Sequence, residues 1–490
     1  MRRGHARLGP HPQGDPRRQR ARQDRLARPQ GQQVVLTQGR LQLLTLVLLT
    51  TVTAVVSSLG APIVPAIARH YDLAVTDAQW ALSATMLAGA VTTPILGRLG
   101  SGRLRRPVIL AGLSLVLAGS VLAAVPWGFA ALVTGRSLQG VGLALVPLAL
   151  AVARDVVRRE RRSSAIALLS VSTVAGAGLG YPVTALVAEV GGLPAAYGLG
   201  AVLTAATLAM AWRFVPASDG QPPARVDWLG ALLLSAGMVG VLLAVTRGAT
   251  WGWLSLLTGG LGTAGFLLLA TWVAWTLRSP HPLVDLRLAV RPGLFVPNLT
   301  ALMAGIGMYG LLTLVVVLVQ SDGGWGLDQP VTVAGLMLVP YSLASILGSR
   351  LARVVAARLG TAALLPVGCL LFFGASATLA FEHDHLWQAA ACMGIGGLGS
   401  GLTFSSLAVL MVPHVPRSET GSALAFNQVL RYLGFAAGAS LSVTLMGVFG
   451  GGAAGFRASL LILSSTSVVA AAVAYGVGRR EAAAGGHAAE

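Results

Sequence analysis

The side chains in this sequence that could do chemistry are few, and nearly all stand outside its apolar stretches. Arg136 is the exception. It lies within LVTGRSLQGVGLALVPLALAVARDVVRRERR, residues 132–162, an apolar run with one arginine inside and Arg154, Arg158, Arg159, Arg161 and Arg162 gathered at its end. If the run crosses a bilayer, a rise of ~1.5 Å per residue from the Pro126/Trp127 break puts Arg136 roughly 10 to 15 Å deep. A charge at that depth costs ~2.5 to 3.5 kcal/mol even on insertion scales, so it must face a polar cavity or a partner. Two roles are open to it: a working fixed charge, or a structural arginine satisfied by carbonyls of a neighbouring helix. An arginine does not give up its proton, so in the working role it would favour the ionised form of a nearby carboxylate. Glu189 is the one carboxylate that the spacing puts in the same outer half, near the rim.

Catalytic readings fare poorly. All eight histidines lie in tails or loops, and no HExxH, Walker loop or Ser/His/Asp pattern stands where a reaction could be organised. The sequence therefore reads as a protein that is not an enzyme and needs no cofactor. His383, Asp384 and His385 could catch a metal, but no further ligand lies near them, which favours a solvated loop and no metal site. With no ATP-binding module, energy for any transport must come from an ion gradient or from the substrate.

The elements that must position these groups are membrane spans. Of 490 residues, 54% are hydrophobic and only 11% charged, with a mean hydropathy of +0.73. That leaves too little polar residue to coat a soluble globule, so the chain reads as an all-α polytopic membrane protein. The net charge of +18 is carried by arginine alone among basic residues, set in short segments between apolar runs. Such a pattern is a topology signal, and it points to a lipid bilayer and to no nucleic acid. Cys369 and Cys392 lie within apolar runs and suggest no disulfide framework.

Residues 1–40 are basic and lack apolar periodicity, which predicts a disordered cytoplasmic tail. About fourteen apolar runs follow, each long enough for a ~30 Å core: 41–68, 79–99, 107–125, 129–153, 163–188, 194–215, 229–246, 254–277, 293–319, 331–351, 361–381, 386–412, 422–449 and 456–477. With the N-terminus inside, alternate loops collect the arginines while the outer loops keep only Arg69, Arg247 and Arg457, so both termini are expected in the cytoplasm. Runs four and five are Gly-rich and flank a charged loop, and runs twelve and thirteen repeat that plan, the trace of two halves about a shared site. The organisation expected is a six-helix bundle over 41–215, two additional spans with flanking loops over 216–291, a second six-helix bundle over 292–478, and a cytoplasmic tail over 479–490.

Over residues 41–477 the chain resembles the major facilitator superfamily, in particular its fourteen-span drug:proton antiporters. GRSLQGVG resembles the fourth-span motif through Arg136, Gln139, Gly140 and Gly142. GRLGSGRLRR resembles the loop motif between spans two and three through Gly97, Leu99, Arg105 and Arg106, although Ser101 and Leu104 replace its aspartate and second glycine; Asp155 is then the acid available to the loop arginines. GAGLGYP resembles the fifth-span antiporter motif through Gly176, Gly180 and Pro182, with Tyr181 intruding. VDWLGALLLSAGMVGVLLAVTRGATWGW and HPLVDLRL look like hallmarks of the additional spans.

The resemblance implies a two-bundle fold with two additional central spans. It also implies a monomer in the plasma membrane that exports amphipathic or cationic small molecules by alternating access, driven by protons. A carrier of one metabolite or natural product, or a transporter-like sensor, are the other readings. Arg136, Gln139, Gly140, Gly142, Asp155 and Glu189 are then expected in coupling and gating, and Asn298, Tyr309, Gln320, Asn427 and Arg431 in the substrate cavity. The first span departs from the family: TAVVSSLGAPIVP offers Ser57 and Ser58 where an acid is usual, so no proton carrier is evident.

Overall fold

The computed structural model describes residues 39–486 apart from 60–62, 74, 79, 101, 218–225, 322–323 and 417–418. Most of the expected tail at 1–40, together with Ser101, Arg225 and Arg417, lies outside the described residues. Fourteen described helices are long and apolar enough to cross a membrane: α1 Gly39–Ser58, α2 Trp80–Leu99, α3 Arg105–Ala124, α4 Phe129–Val156, α5 Arg159–Thr184, α6 Leu186–Phe214, α7 Trp228–Val245, α8 Leu256–Thr276, α9 Gly293–Gln320, α10 Val333–Leu359, α11 Thr361–Phe381, α12 Leu386–His414, α13 Thr420–Val448 and α14 Gly452–Val477. No strand occurs among the described residues.

Local chemistry explains the breaks. The first apolar run is expected to stay helical over 41–68, but α1 ends at Ser58 and a separate short helix, Val64–His70, follows. The sequence between them holds Gly60 and Pro62; glycine weakens a helix, and proline cannot donate to one. Within α4 the backbone tightens to a 3-10 turn at Val141–Ala144 just before Pro147, whose ring clashes with the carbonyl four residues earlier. Gly192 breaks the helical path inside the span labelled α6, with a φ of +70°, a conformation that favours glycine.

Two bundles result. In the first, α2 and α3 pack on α4; in the second, α9 packs on α13 and α14, α11 on α12 and α14, and α10 on α12. Across the seam, α2 meets α13, and Gly178 of α5 lies so close to Ser342 of α10 that any Cβ there would overlap the serine side chain. The additional pair, α7 and α8, pack on each other, and α7 leans on both α2 and α13. Asp227 caps the start of α7 through the Gly230 amide (2.8 Å) and also accepts from the Trp275 indole (2.9 Å), which ties the two additional spans together.

The His383–His385 segment packs at the start of α12. His383 is buried with its ring 5.1 Å from that of Phe456, and the His385 amide donates to Gln388 Oε1 (2.8 Å) in the box that caps α12.

Candidate functional site

Between the bundles lies a cavity of about 230 Å³. Ser57 and Ser58 of α1, Thr85 and Met86 of α2, and Tyr181 of α5 form one wall; Tyr309 of α9, Tyr341 and Ser342 of α10, Phe404 of α12, and Gln428, Arg431, Tyr432 and Phe435 of α13 form the other. The volume is just below the ~300 to 1,000 Å³ range of small-molecule sites, which suits a one- or two-ring ligand. Tyr181 and Tyr309 line the cavity from opposite bundles, and Tyr309 stacks on Phe435 at 4.6 Å between ring centroids.

α13 supplies the polar wall. Gln428, Arg431, Tyr432 and Phe435 follow at intervals of three, one and three, the spacing of a single helical face. The Gln428 amide nitrogen donates to the Tyr432 hydroxyl (2.5 Å), leaving its carbonyl oxygen to accept from Arg431 Nη2. The Arg431 guanidinium also lies 5.3 Å from the Phe404 ring centroid, a cation–π distance. Of these, only Tyr309 and Arg431 are among the cavity residues expected from the sequence.

Three other expectations take different places. Asn427 donates to Asn298 Oδ1 and to the Pro297 carbonyl, both at 3.1 Å, so the two asparagines join α13 to α9 instead of lining the cavity. At ~100° per residue Asn427 stands ~40° beyond Arg431, turned away from the cavity face. Gln320 is the last residue of α9, exposed and bonded to the Val316 carbonyl (3.2 Å). It lies eight residues past Leu312, the last α9 residue in the lining, or ~12 Å along the axis.

Arg136 is fully buried behind the α1 wall, outside the cavity lining. Its Nε donates to the Ala81 carbonyl (3.1 Å), Nη1 to the Val56 carbonyl (2.9 Å) and to Gln139 Oε1 (2.6 Å), and Nη2 to the Ser57 carbonyl (3.0 Å). Val56 and Ser57 are in the last turn of α1, where carbonyls lack helical partners and the helix dipole favours a cation. Hydrogen bonds to a charged group contribute ~1.5 to 3 kcal/mol each, so four of them outweigh the insertion cost of ~2.5 to 3.5 kcal/mol. Gln139 is itself held, donating to Ser120 Oγ (3.1 Å). Gly140 lets α4 approach the Thr85 carbonyl so closely that no Cβ would fit, and Gly142 faces Val116 of α3. None of the four acceptors of Arg136 is a carboxylate; Glu189 is exposed, and the structure does not bring the two together.

The arginine-rich end of the cavity is closed. Arg98 at the end of α2 forms an ion pair with both oxygens of Glu419, at the start of α13, at 2.7 Å. Arg154 at the end of α4 donates to the Val415 carbonyl (2.9 Å) and to Thr420 Oγ1. Gly97 packs against Gly421 and Ala425 of α13, while Leu99 beside it is half-buried. Below them Arg105 donates to Asp155 (2.5 Å) and to the Gly100 carbonyl (3.1 Å), and Arg106 to the Trp212 carbonyl (2.6 Å), bonds that stay within the first bundle. From Arg98 to Met86 is twelve residues, so this seal lies ~18 Å from the cavity. The cross-bundle pair was not read from the sequence, because Arg98 and Glu419 are 321 residues apart. In the fifth-span motif, Gly176 packs on Thr51 and Gly180 on Ser58 and Val55, bringing Tyr181, followed by Pro182, to the cavity.

The family model of the Major Facilitator Superfamily matches residues 46–439. The chain belongs to this superfamily. It is 23% identical over 436 residues to the uncharacterized MFS-type transporter YvkA of Bacillus subtilis (87% of this chain, 93% of that one), and 27% identical over 379 residues to the multidrug resistance protein Stp of Mycobacterium tuberculosis (76% and 69%). Among solved structures, the human organic anion transporter MFSD10 (TETRAN) matches with a TM-score of 0.66 and 16% identity, covering 89% of this chain and 99% of that one. At that identity the likeness is one of fold. The protein is thus a multi-pass membrane transporter of the superfamily.

Proposed function

We propose that this transporter exports amphipathic small molecules across the plasma membrane by alternating access, with proton entry as the drive. The cavity between the bundles, closed at its arginine-rich end, is the observation that carries the proposal. In this reading the bundles at 41–215 and 292–478 rock about the cavity, residues 216–291 ride on the seam, the arginine-rich end faces the cytoplasm, and a single chain is the working unit. The multidrug-resistance name of one relative supports export at the level of distant likeness. The described cavity lining contains no carboxylate to carry a proton, so the pH gradient and the electrical potential are tested apart. Cells expressing the protein should accumulate less of a lipophilic dye from a broad panel, and nigericin, which collapses the pH gradient, should erase the difference. Unchanged accumulation across the panel, with faster entry of one metabolite, would replace export by a specific carrier.

A further inference from the structure

Among the described residues that line the cavity, one side chain is charged, and it is a cation. Arg431 Nη2 is engaged by the Gln428 carbonyl oxygen, whereas its Nε is buried with no hydrogen-bond partner. Burial of a cation without a counter-charge is costly, and a planar guanidinium with donors to spare matches a carboxylate in geometry as well as in charge. Gln428 is fixed from its other side by Tyr432, so the guanidinium is held in place before any ligand arrives. Around it stand Phe404, Phe435, Tyr309 and Tyr341, which offer apolar faces for the rest of a ligand. An organic cation would find no acid in this lining and would meet Arg431 instead.

We propose that the cavity selects amphipathic organic anions, a carboxylate on a one- or two-ring apolar body, with Arg431 as the anchor and the Gln428–Tyr432 pair orienting it. This rests on the transport reading above, and it narrows the expected substrates away from cations.

The test uses the full chain, purified and reconstituted in vesicles of neutral lipid, with three probes of one shape: 2-naphthylacetate, the uncharged 2-naphthylacetamide, and 2-(2-naphthyl)ethylammonium. The carboxylate should bind at least about tenfold more tightly than the amide, the scale of one charge-assisted hydrogen bond. Arg431→Gln should erase that preference while leaving amide affinity within about threefold, and Arg431→Lys should keep part of it. Gln428→Glu, which retains the arginine and supplies an internal counter-charge, should also abolish the preference, and it serves if Arg431→Gln does not fold. Tightest binding of the ammonium, or an unchanged carboxylate-to-amide ratio in Arg431→Gln or in Gln428→Glu, would overturn the proposal. Carboxylate-selective binding with no counterflow of any probe would support the anion site and remove the transport reading. Counterflow of the ammonium alone would do the reverse.

Discussion

Arg136 and Arg431 stand in opposite bundles, each in an apolar helix with a glutamine three residues away, and the protein uses them differently. Arg136 faces the end of α1, where a broken helix presents carbonyls, and it collects four acceptors. Arg431 faces the cavity, where its neighbours are aromatic rings and Gln428, and its Nε has no acceptor. Depth in the membrane makes any arginine expensive, but the supply of acceptors decides whether it is spent on the fold or left for a ligand. The absence of an acid in the first span fits the same account, since the Val56 and Ser57 carbonyls satisfy the charge that a carboxylate would otherwise face.

The largest expected effect tests the structural side of this contrast. Arg136→Leu leaves the Val56 and Ser57 carbonyls and the Gln139 oxygen without the arginine donor, while Ala81 keeps Thr85 Oγ1, and an unsatisfied buried polar group costs ~1 to 3 kcal/mol, so a loss of at least ~3 kcal/mol is expected. Arg431→Leu, which strands only the Gln428 oxygen, should cost ~1 to 3 kcal/mol. Thermal unfolding of both variants in detergent measures the difference. Equal losses would end the distinction between the two arginines.

Arg98 adds a third case, an arginine whose acceptor belongs to the other bundle. In the proposed alternating-access cycle its bond to Glu419 breaks whenever the arginine-rich end opens, so under that proposal the pair sets the balance between two states and not the stability of one. Coupling of this kind typically amounts to ~1 to 3 kcal/mol, or 5- to 150-fold. In Arg98→Glu, a cysteine placed at Ser57 should be labelled from the arginine-rich end on the order of tenfold faster, and adding Glu419→Arg should restore the slow rate. Labelling that stays slow in Arg98→Glu would mean that Gly97 packing on Ala425 and the Arg154 bonds hold the seal without it.

The spans were legible because an apolar run of about twenty residues has one use in lipid. The span expected at 361–381 matches α11, and the one expected at 229–246 starts within one residue of its helix, which runs on to Trp251. The first was overextended: α1 ends at Ser58, and hydropathy gives no weight to the glycine and proline that soon follow in the sequence. The site was less legible. The acceptors of Arg136 are mostly main-chain carbonyls, which every residue type carries, so no residue choice announces them. Gln428 and Tyr432 could have been found by following one helical face from Arg431 in both directions. Asn427, four residues from Arg431 and expected beside it in the cavity, turns toward α9 instead.

The smallest expected effect concerns Glu189, which the sequence singles out as the carboxylate nearest Arg136. It is exposed near the end of the fifth apolar run, and Arg136 has its donors occupied elsewhere. Substitutions at exposed positions usually change stability by less than ~0.5 kcal/mol, and Glu189→Gln should fall within that limit. Because no cavity residue depends on it, counterflow and gradient-driven flux should both stay within about twofold of the parent protein. The informative result is a split between the two. If Glu189→Gln kept counterflow but lost proton-driven flux, coupling would run through a carboxylate at the rim, about 12 Å along the helix from Tyr181. Arg136 would then return as a working charge, and the contrast with Arg431 would have to be drawn on different grounds.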